Sequence, residues 1–191
     1  MNKRSLQMIL KWTAIVLAMI FLSLQFIRPA RTNPPVDEAR TIQQHTQITS
    51  EVASILDRSC NDCHSNQTRW PWYSNIAPVS WFVADHVNEG RKELNFSDWA
   101  QYNAADQAGL LKQMCQEVKA GAMPLRSYLR LHWGAELSSE DKRTLCDWAQ
   151  RESQRLSQAS HKTYGKKVRL EWVHNPSAVT RLISPQDDAY H

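Results

Sequence analysis

The hydrophobic positions of this chain follow two different patterns. Residues 6–27 form one apolar stretch with a few isolated polar residues, whereas beyond residue 31 apolar residues recur at helical spacing between polar segments. A helix over residues 6–27 would be about 33 Å long, and the hydrocarbon core of a bilayer is about 30 Å thick. The pattern therefore predicts an N-terminal transmembrane helix within residues 1–31, followed by helices outside the membrane.

The start of the chain is compatible with an uncleaved signal anchor or with a cleaved signal peptide. Its uninterrupted apolar part, residues 12–27, has the length of a signal-peptide core. The following segment, QFIRPARTNPP, carries arginines and prolines and no A-x-A cleavage site, so we expect an uncleaved anchor. More basic residues precede the apolar stretch than follow it, a weak bias that favours a cytoplasmic N-terminus with the remaining chain outside.

Apolar periodicity beyond the anchor predicts an all-α domain over residues 48–156. Before it, the polar, proline-containing residues 32–47 predict a tether. Ser138 with Asp141 three residues later forms a capping-box pattern, and Gly121 is a helix stop. Pro71 and Pro78 predict a loop between the first two helices. The predicted helices cover about 49–58, 78–90, 104–120 and 138–156.

The sequence of residues 157–191 predicts a polar C-terminal tail. Within it, KVRLEW (167–172) alternates between polar and apolar residues, a pattern that predicts a short strand. The whole chain contains only five glycines, too few for the many turns of a β-rich fold. Eight tryptophans are many for so small a helical domain, which suggests that a large flat group binds among them.

The net charge of +4 does not indicate a nucleic-acid partner. Five of the 23 Lys and Arg residues lie within residues 1–31, which contain no Asp or Glu. Beyond residue 31 the chain has 18 basic residues and 19 acidic ones, so the part expected outside the membrane is close to neutral. We therefore expect no binding to DNA or RNA.

The motif CNDCH, residues 60–64, carries the most specific chemistry in the chain. A C-x-x-C pair of the thioredoxin type would follow a strand in a βαβ unit, and no strand pattern precedes Cys60. A structural zinc site needs four ligands, yet the other two cysteines are isolated and no His pair has zinc-ligand spacing. Both alternatives are therefore weaker than a third, covalent haem.

C-x-x-C-H is the spacing of c-type haem attachment. Cys60 and Cys63, two residues apart in a tight turn, would each form a thioether with one vinyl group of the same porphyrin edge. His64 would then bind the iron as its proximal ligand. In bacteria this attachment takes place outside the cytoplasmic membrane, which agrees with an exported domain. We expect one haem c.

The chain resembles the bacterial haem-binding domain family related to cytochromes c. Two segments carry the resemblance: residues 60–99, CNDCHSNQTRWPWYSNIAPVSWFVADHVNEGRKELNFSDW, and residues 117–138, EVKAGAMPLRSYLRLHWGAELS. It extends over about residues 30–150. It implies a cytochrome c-like helical domain around one covalent haem, anchored in the bacterial inner membrane by a single pass over residues 6–27 and facing the periplasm. It identifies no redox partner.

Several residues are candidates for the sixth iron ligand. Met123 lies in AGAMPL, between two predicted helices and before a proline, which resembles the distal methionine loop of class I cytochromes c. A Met in this position could also fill space in a core. His86 and His132 are rival ligands, and an open sixth position is the remaining alternative.

Other side chains have more than one interpretation. Trp70, Trp72 and Trp81 are expected to wall the porphyrin or to belong to an ordinary core. Tyr73 belongs to the same aromatic cluster. Arg91 would either pair with a haem propionate or form a solvated helix end.

Cys115 and Cys146 fall on the last two long predicted helices. The resemblance implies that these helices lie near each other, as they do in a cytochrome c fold. An oxidising periplasm would then favour a disulfide between the two cysteines, although Cys115 could equally be a buried free thiol.

Single-electron transfer is the function that these features favour. A filled sixth position leaves no room for substrate on the iron, and no catalytic triad, carboxylate pair or phosphate loop competes as an active site. We therefore expect no enzyme activity. A peroxidase-like haem enzyme and a haem-based redox or gas sensor, each with a displaceable or absent sixth ligand, are the alternatives.

Overall fold

All regular elements within residues 3–174 are helices, which confirms the all-α class. The computed structural model describes the backbone of these residues, with side chains described to residue 160 and at positions 162 and 169. The first element, α1, is Lys3–Leu24. Its side chains are exposed along its whole length, and a mean hydropathy of 1.8 makes it long and apolar enough to cross a membrane.

The described chain divides into two compact units that alternate along the sequence. Unit 1 holds the residues up to Ala100 together with Arg126–Leu137, and unit 2 holds Gln101–Leu125 and the chain from Ser138 onward. The single domain predicted over residues 48–156 is thus shared between two units. The C-x-x-C-H motif lies in unit 1.

After α1, unit 1 contains four short helices and one longer helix. They are α2 (Ile42–His45), α3 (Ser50–Ser59), α4 (Asn61–His64), α5 (Val79–Glu93) and, after unit 2 interrupts the chain, α7 (Arg126–Leu129). Thr49 caps α3, because its hydroxyl accepts the Val52 amide at 3.3 Å. The longer helix, α5, begins after Pro78. Short 3₁₀ turns lie at Glu38–Arg40, Trp72–Asn75, Phe96–Gln101 and Trp133–Ala135.

The segment predicted as a tether is in fact bound to unit 1. Ile42 is fully buried, and Thr41 and Thr46 are buried beside it. Asn33 donates to the carbonyl of Thr68 at 2.9 Å. Asp37 caps a 3₁₀ turn by accepting the Ala39 amide. The prolines of this segment exclude long helix, as expected, but its polar groups have partners within the unit and it is not a free linker.

Unit 2 pairs two long helices, α6 (Ala104–Ala120) and α8 (Ser139–His174). They run antiparallel, because Cys115 pairs with Cys146 while Ser153, farther along α8, bonds to Ala108, nearer the start of α6. Asn103 caps α6 by accepting the amides of Ala105 and Asp106. The capping box at the start of α8 is confirmed, since Ser138 and Asp141 each accept the other's backbone amide. The buried apolar residues facing each other on the two helices are Ala108, Leu111, Met114, Val118, Leu145, Trp148, Ala149 and Leu156.

The prediction of a short strand at residues 167–172 is wrong. The backbone continues as helix α8 to His174, well beyond the predicted end near residue 156. No proline interrupts the chain before Pro176, and Gln, Arg, Lys, Glu and Leu, all good helix formers, are frequent in it. Three alternating apolar residues are too short a pattern to outweigh that propensity. Residues 175–191 of the predicted tail lie outside the described residues.

The two cysteines outside the motif form a disulfide between the helices of unit 2. Cys115 on α6 and Cys146 on α8 have their Sγ atoms 2.09 Å apart and their Cα atoms 5.0 Å apart. The bridge closes a loop with a sequence separation of 31 residues. By the chain-entropy model a loop of this length stabilises the folded state by about 3.5 kcal/mol.

Replacing both bridge cysteines should lower the free energy of unfolding by about 3.5 kcal/mol. The Cys115→Ser/Cys146→Ser variant is compared with the wild-type protein in a denaturant titration without reductant. The Cys60→Ala/Cys63→Ala variant is the matched control, because it removes the other cysteine pair and keeps the bridge. This control, denatured without reductant, should show no reactive thiol, and a count of two would contradict the bridge.

Candidate haem site

One helical turn carries the whole C-x-x-C-H motif. Cys60 ends α3, where its amide donates to Leu56 O at 3.0 Å, and the chain then turns at once into α4. The Cys60 carbonyl accepts the amides of Cys63 at 3.2 Å and His64 at 2.9 Å. Side chains three and four residues apart are neighbours on a helix, so these bonds place both thiols and the imidazole on adjoining positions. Cys60 and Cys63 are free cysteines and partly buried.

The His64 ring is held by a hydrogen bond at its Nδ1 atom. Nδ1 lies 3.0 Å from the carbonyl oxygen of Leu94, and because a carbonyl only accepts, Nδ1 is the donor and carries the proton. Nε2 is then the nitrogen with a lone pair. Burial lowers the pKa of His64 below its usual value, although the bond to Leu94 opposes this shift. A neutral ring with its second nitrogen on a carbonyl is the arrangement that metal-binding histidines adopt.

Helix α5 approaches the motif so closely that only glycine fits at the contact. A Cβ atom added to Gly90 would lie 2.7 Å from the carbonyl oxygen of Cys63 and 3.1 Å from its Cβ. Leu94, whose carbonyl holds His64, caps the same end of α5 and donates its amide to Gly90 O at 3.0 Å. The close packing of α5 therefore sets the position of the His64 acceptor.

The thiols do not have the character of a redox pair. Burial raises the pKa of Cys60 to about 12 and that of Cys63 to about 11, and the Asp62 carboxylate adds to the second shift. A reactive C-x-x-C thiol has a pKa lowered to about 7 or below. Within residues 3–174, apart from side chains that are not described, no group of three or more His, Cys, Asp or Glu residues is placed to hold a metal ion. The zinc and thioredoxin interpretations have no support here.

Asp62, between the two cysteines, fixes the turn to two distant segments. Its carboxylate accepts the amide and the Nε of Arg69, each at 3.1 Å, and the Tyr128 hydroxyl at 2.7 Å. Its backbone carbonyl accepts the Thr68 hydroxyl at 2.7 Å. Burial and the bond to Asp62 raise the pKa of Tyr128 well above its usual value. Sequence analysis missed this residue, because an "x" position in C-x-x-C-H carries no signal of its own.

The rival iron ligands, His132 and His86, have surroundings that differ from those of His64. Tyr128 stacks on His132, with ring centroids 3.9 Å apart. His132 Nδ1 lies 3.0 Å from the Tyr128 carbonyl, so it donates there, and Nε2 faces the Tyr73 hydroxyl at 3.4 Å. Both ring nitrogens of His132 thus have partners in the protein. His86 is exposed on α5.

Arg91 is not a solvated helix end, because its guanidinium has several partners in the protein, and its pairing with a haem propionate stays a prediction. Its guanidinium donates to the carbonyls of Ser65 at 2.8 Å and Thr32 at 2.9 Å. It also donates to Asn33 Oδ1 at 2.7 Å and to the Thr68 hydroxyl at 2.8 Å. Arg91 therefore joins the residues after His64 to the segment that follows the anchor.

The predicted tryptophan wall lies near that same segment. Trp70 Nε1 donates to Asn33 Oδ1 at 3.3 Å, and Trp81 Nε1 donates to the carbonyl of Ile27 at 2.8 Å. Trp72 is 75% exposed. A role for these three indoles against a porphyrin stays a prediction.

Met123 belongs to unit 2 and follows the end of α6. Gly121 adopts a left-handed conformation with φ of 70°, which stops the helix. The amides of Ala122 and Met123 then donate to Glu117 O at 3.0 and 3.3 Å. The Met123 backbone is thereby fixed to the helix end, and its side chain is partly buried.

Adding one methyl group at Gly90 should disturb the motif, whereas the same change elsewhere should not. Gly90→Ala forces a shift of α5 or of the Cys63 backbone, and we expect a loss of about 1–3 kcal/mol in the free energy of unfolding. The control is Gly109→Ala in α6, where a Cβ would meet no atom within 4 Å. It should be neutral or stabilising by up to about 1 kcal/mol. Denaturant titration measures both, and equal effects would contradict the close packing.

Comparison with known proteins agrees with this site. The family model described as "Haem-binding domain" matches residues 19–151, which include the C-x-x-C-H turn, α5 and the Met123 loop. No curated protein and no solved structure matches the chain. The match covers more than two thirds of the sequence, and the residues at the motif have the donor set that haem attachment requires. The chain therefore belongs to the haem-binding domain family.

Proposed function

We propose that this haem protein carries one covalent haem c and transfers single electrons. The observation that carries the proposal is the turn at residues 60–64. It presents two unpaired thiols and an imidazole whose Nδ1 is already bonded to Leu94 O. Cys60 and Cys63 would form the thioethers and His64 would bind the iron through Nε2. Bound in this way, the haem supplies a one-electron redox couple.

The residues of the chain contribute orientation and a stable turn. The bond from His64 to Leu94 prevents ring rotation, and the close contact of α5 keeps the Cys63 backbone in place. Asp62 bonds the turn to Thr68, Arg69 and Tyr128. These bonds hold both cysteines on the same side of the turn. A site held this firmly changes little when its charge changes, and a small rearrangement favours rapid electron transfer.

Met123 is the proposed sixth ligand. Two features support it: its backbone is fixed to the end of α6, and it precedes a proline in a loop that resembles the distal loop of class I cytochromes c. A Met ligand raises the reduction potential and fills the coordination sphere. The proposal of an electron carrier without enzyme activity depends on this ligand.

Anchoring of the protein by α1 in the inner membrane, with the haem domain in the periplasm, completes the proposal. Its support is the length and hydropathy of α1 and the requirement that c-type attachment takes place outside the cytoplasm. The redox partner is then a protein that reaches the periplasmic surface of the membrane.

Covalent attachment is tested on denatured protein. The full chain, coexpressed with a c-type maturation system, should keep peroxidase-active haem on a denaturing gel. Cys60→Ala/Cys63→Ala should lose the stain, because no thioether remains. The Cys115→Ser/Cys146→Ser control should keep it, since these cysteines belong to the disulfide. A stain that disappears from wild-type protein on denaturation would contradict the proposal.

The sixth ligand and the functional class are tested by one sulfur-deleting substitution. Met123→Leu keeps the approximate side-chain volume, so we expect the long-wavelength methionine–iron absorption of the ferric protein to vanish and the reduction potential to fall. The reduced variant should bind carbon monoxide. Met114→Leu, which removes a buried sulfur from α6, the helix that Met123 follows, is the control and should keep the wild-type spectrum.

A wild-type protein that itself binds carbon monoxide readily, or turns over peroxide, would reject the electron-carrier function. That result would favour the sensor or the peroxidase-like enzyme. An electron carrier should instead exchange electrons with another cytochrome and leave carbon monoxide unbound.

A further inference from the structure

The chain that leaves α1 is fastened to unit 1 by successive hydrogen bonds. The Gln25 side chain and the Ala77 backbone exchange two, with Gln25 Nε2 donating at 3.2 Å and Ala77 N donating at 3.0 Å. Trp81 Nε1 donates to Ile27 O at 2.8 Å. Arg31 then donates to the Ser74 carbonyl at 2.9 Å. These bonds hold residues 74–81 directly against the end of the membrane-length helix.

That part of unit 1 exposes large apolar side chains to solvent. Val79 and Phe82 are neighbours on the first turns of α5, at i and i+3, and are 41% and 63% exposed. The 3₁₀ turn and loop before α5 add Trp72 and Ile76, 75% and 37% exposed. Phe26, just after α1, is 88% exposed. We call Phe26, Trp72, Ile76, Val79 and Phe82 the apolar patch.

The length of α1 would place the apolar patch at the surface of a bilayer that α1 spans. The 22 residues of α1 extend for about 33 Å, so a membrane-spanning α1 uses its full length on a hydrocarbon core of about 30 Å. Residues 25–31 then lie at the membrane–water interface, and so do residues 74–81, which are bonded to them. Trp favours this zone, where its ring is buried while its N–H stays hydrated. Phe is a common apolar anchor of helices that lie in the interface. The exposed Arg28 lies beside lipid phosphates in the same arrangement.

The same face of α5 becomes polar as it leaves the anchor. Beyond Phe82 its exposed positions include His86 and Glu89, and Glu89 pairs with Lys92 at 3.5 Å. Only the turns of α5 nearest to α1 are apolar on the outside. This distribution matches a helix whose first turns rest in the lipid headgroups and whose remainder extends into water.

We propose that the apolar patch rests on the phospholipid bilayer in which α1 is anchored. The proposal depends on the membrane anchor of the proposed function. Its consequence is that unit 1, with the haem-attachment turn, is held at a fixed height on the membrane surface. A redox partner must then present its own donor or acceptor close to that surface, as an integral or membrane-bound protein does.

Photo-cross-linking in lipid tests the contact on the full chain. The protein is reconstituted in nanodiscs of phosphatidylethanolamine and phosphatidylglycerol, with p-benzoylphenylalanine in place of Phe82, Glu89 or Ile15. After irradiation, lipid adducts are quantified by mass spectrometry of the protein. We expect adducts from Phe82→p-benzoylphenylalanine severalfold above those from the Glu89 substitution. Glu89 lies on the same face of α5, seven residues farther from the anchor.

The Ile15 position, in the middle of α1, distinguishes the two levels of the proposal. Adducts at 15 with none at 82 would leave the anchor in place and overturn the patch contact. Absence of adducts at 15 would overturn the anchor and, with it, the patch contact. Cross-linking of position 82 to a second copy of the chain would overturn the proposal that the patch contacts lipid and would show a protein interface there instead.

Discussion

The contact between Gly90 and the backbone of Cys63 is the constraint on which the C-x-x-C-H turn depends. No side chain fits between α5 and α4 at this point, so the helix lies directly on the turn. From the same end of α5, Leu94 offers the carbonyl that fixes His64, and Arg91 binds the residues that follow it. One and a half turns of a single helix therefore set the ring orientation, the path of the loop after the motif and the position of residues 32–33.

This constraint also relates the site to the residues that follow α1. Arg91 joins Ser65 and Thr68 to Thr32 and Asn33, while Gln25, Ile27 and Arg31 are bonded to the opposite end of α5 and the loop before it. The segment between the anchor and the domain is thus part of the fold. Under the proposed function, the haem would therefore stay fixed on unit 1 and would not swing on a flexible tether, so that a redox partner would have to come to it.

Sequence analysis predicted those features that depend on local spacing. The C-x-x-C-H turn, the capping box at Ser138 and Asp141, the stop at Gly121 and the membrane-length helix are each set by neighbouring residues. Contacts between distant segments could not be predicted in this way. Asp62 looks like an ordinary polar residue until folding brings Tyr128 beside it, and nothing in the sequence indicates that Arg91 binds Thr32. For the same reason a run of prolines and polar residues predicts a tether, although its partners in the fold lie more than thirty residues away.

The proposed function requires that His64 donates through Nδ1 to Leu94 and binds iron through Nε2. Nuclear magnetic resonance of the ¹⁵N-histidine-labelled protein can show this in the reduced state, in which an iron bound by His and Met is low-spin and diamagnetic. We expect the His64 ring signals to be shifted by the porphyrin, to keep an Nδ1 proton that exchanges slowly with solvent, and not to change with pH. A His64 ring that lacks this proton, or that titrates as a free imidazole, would contradict it.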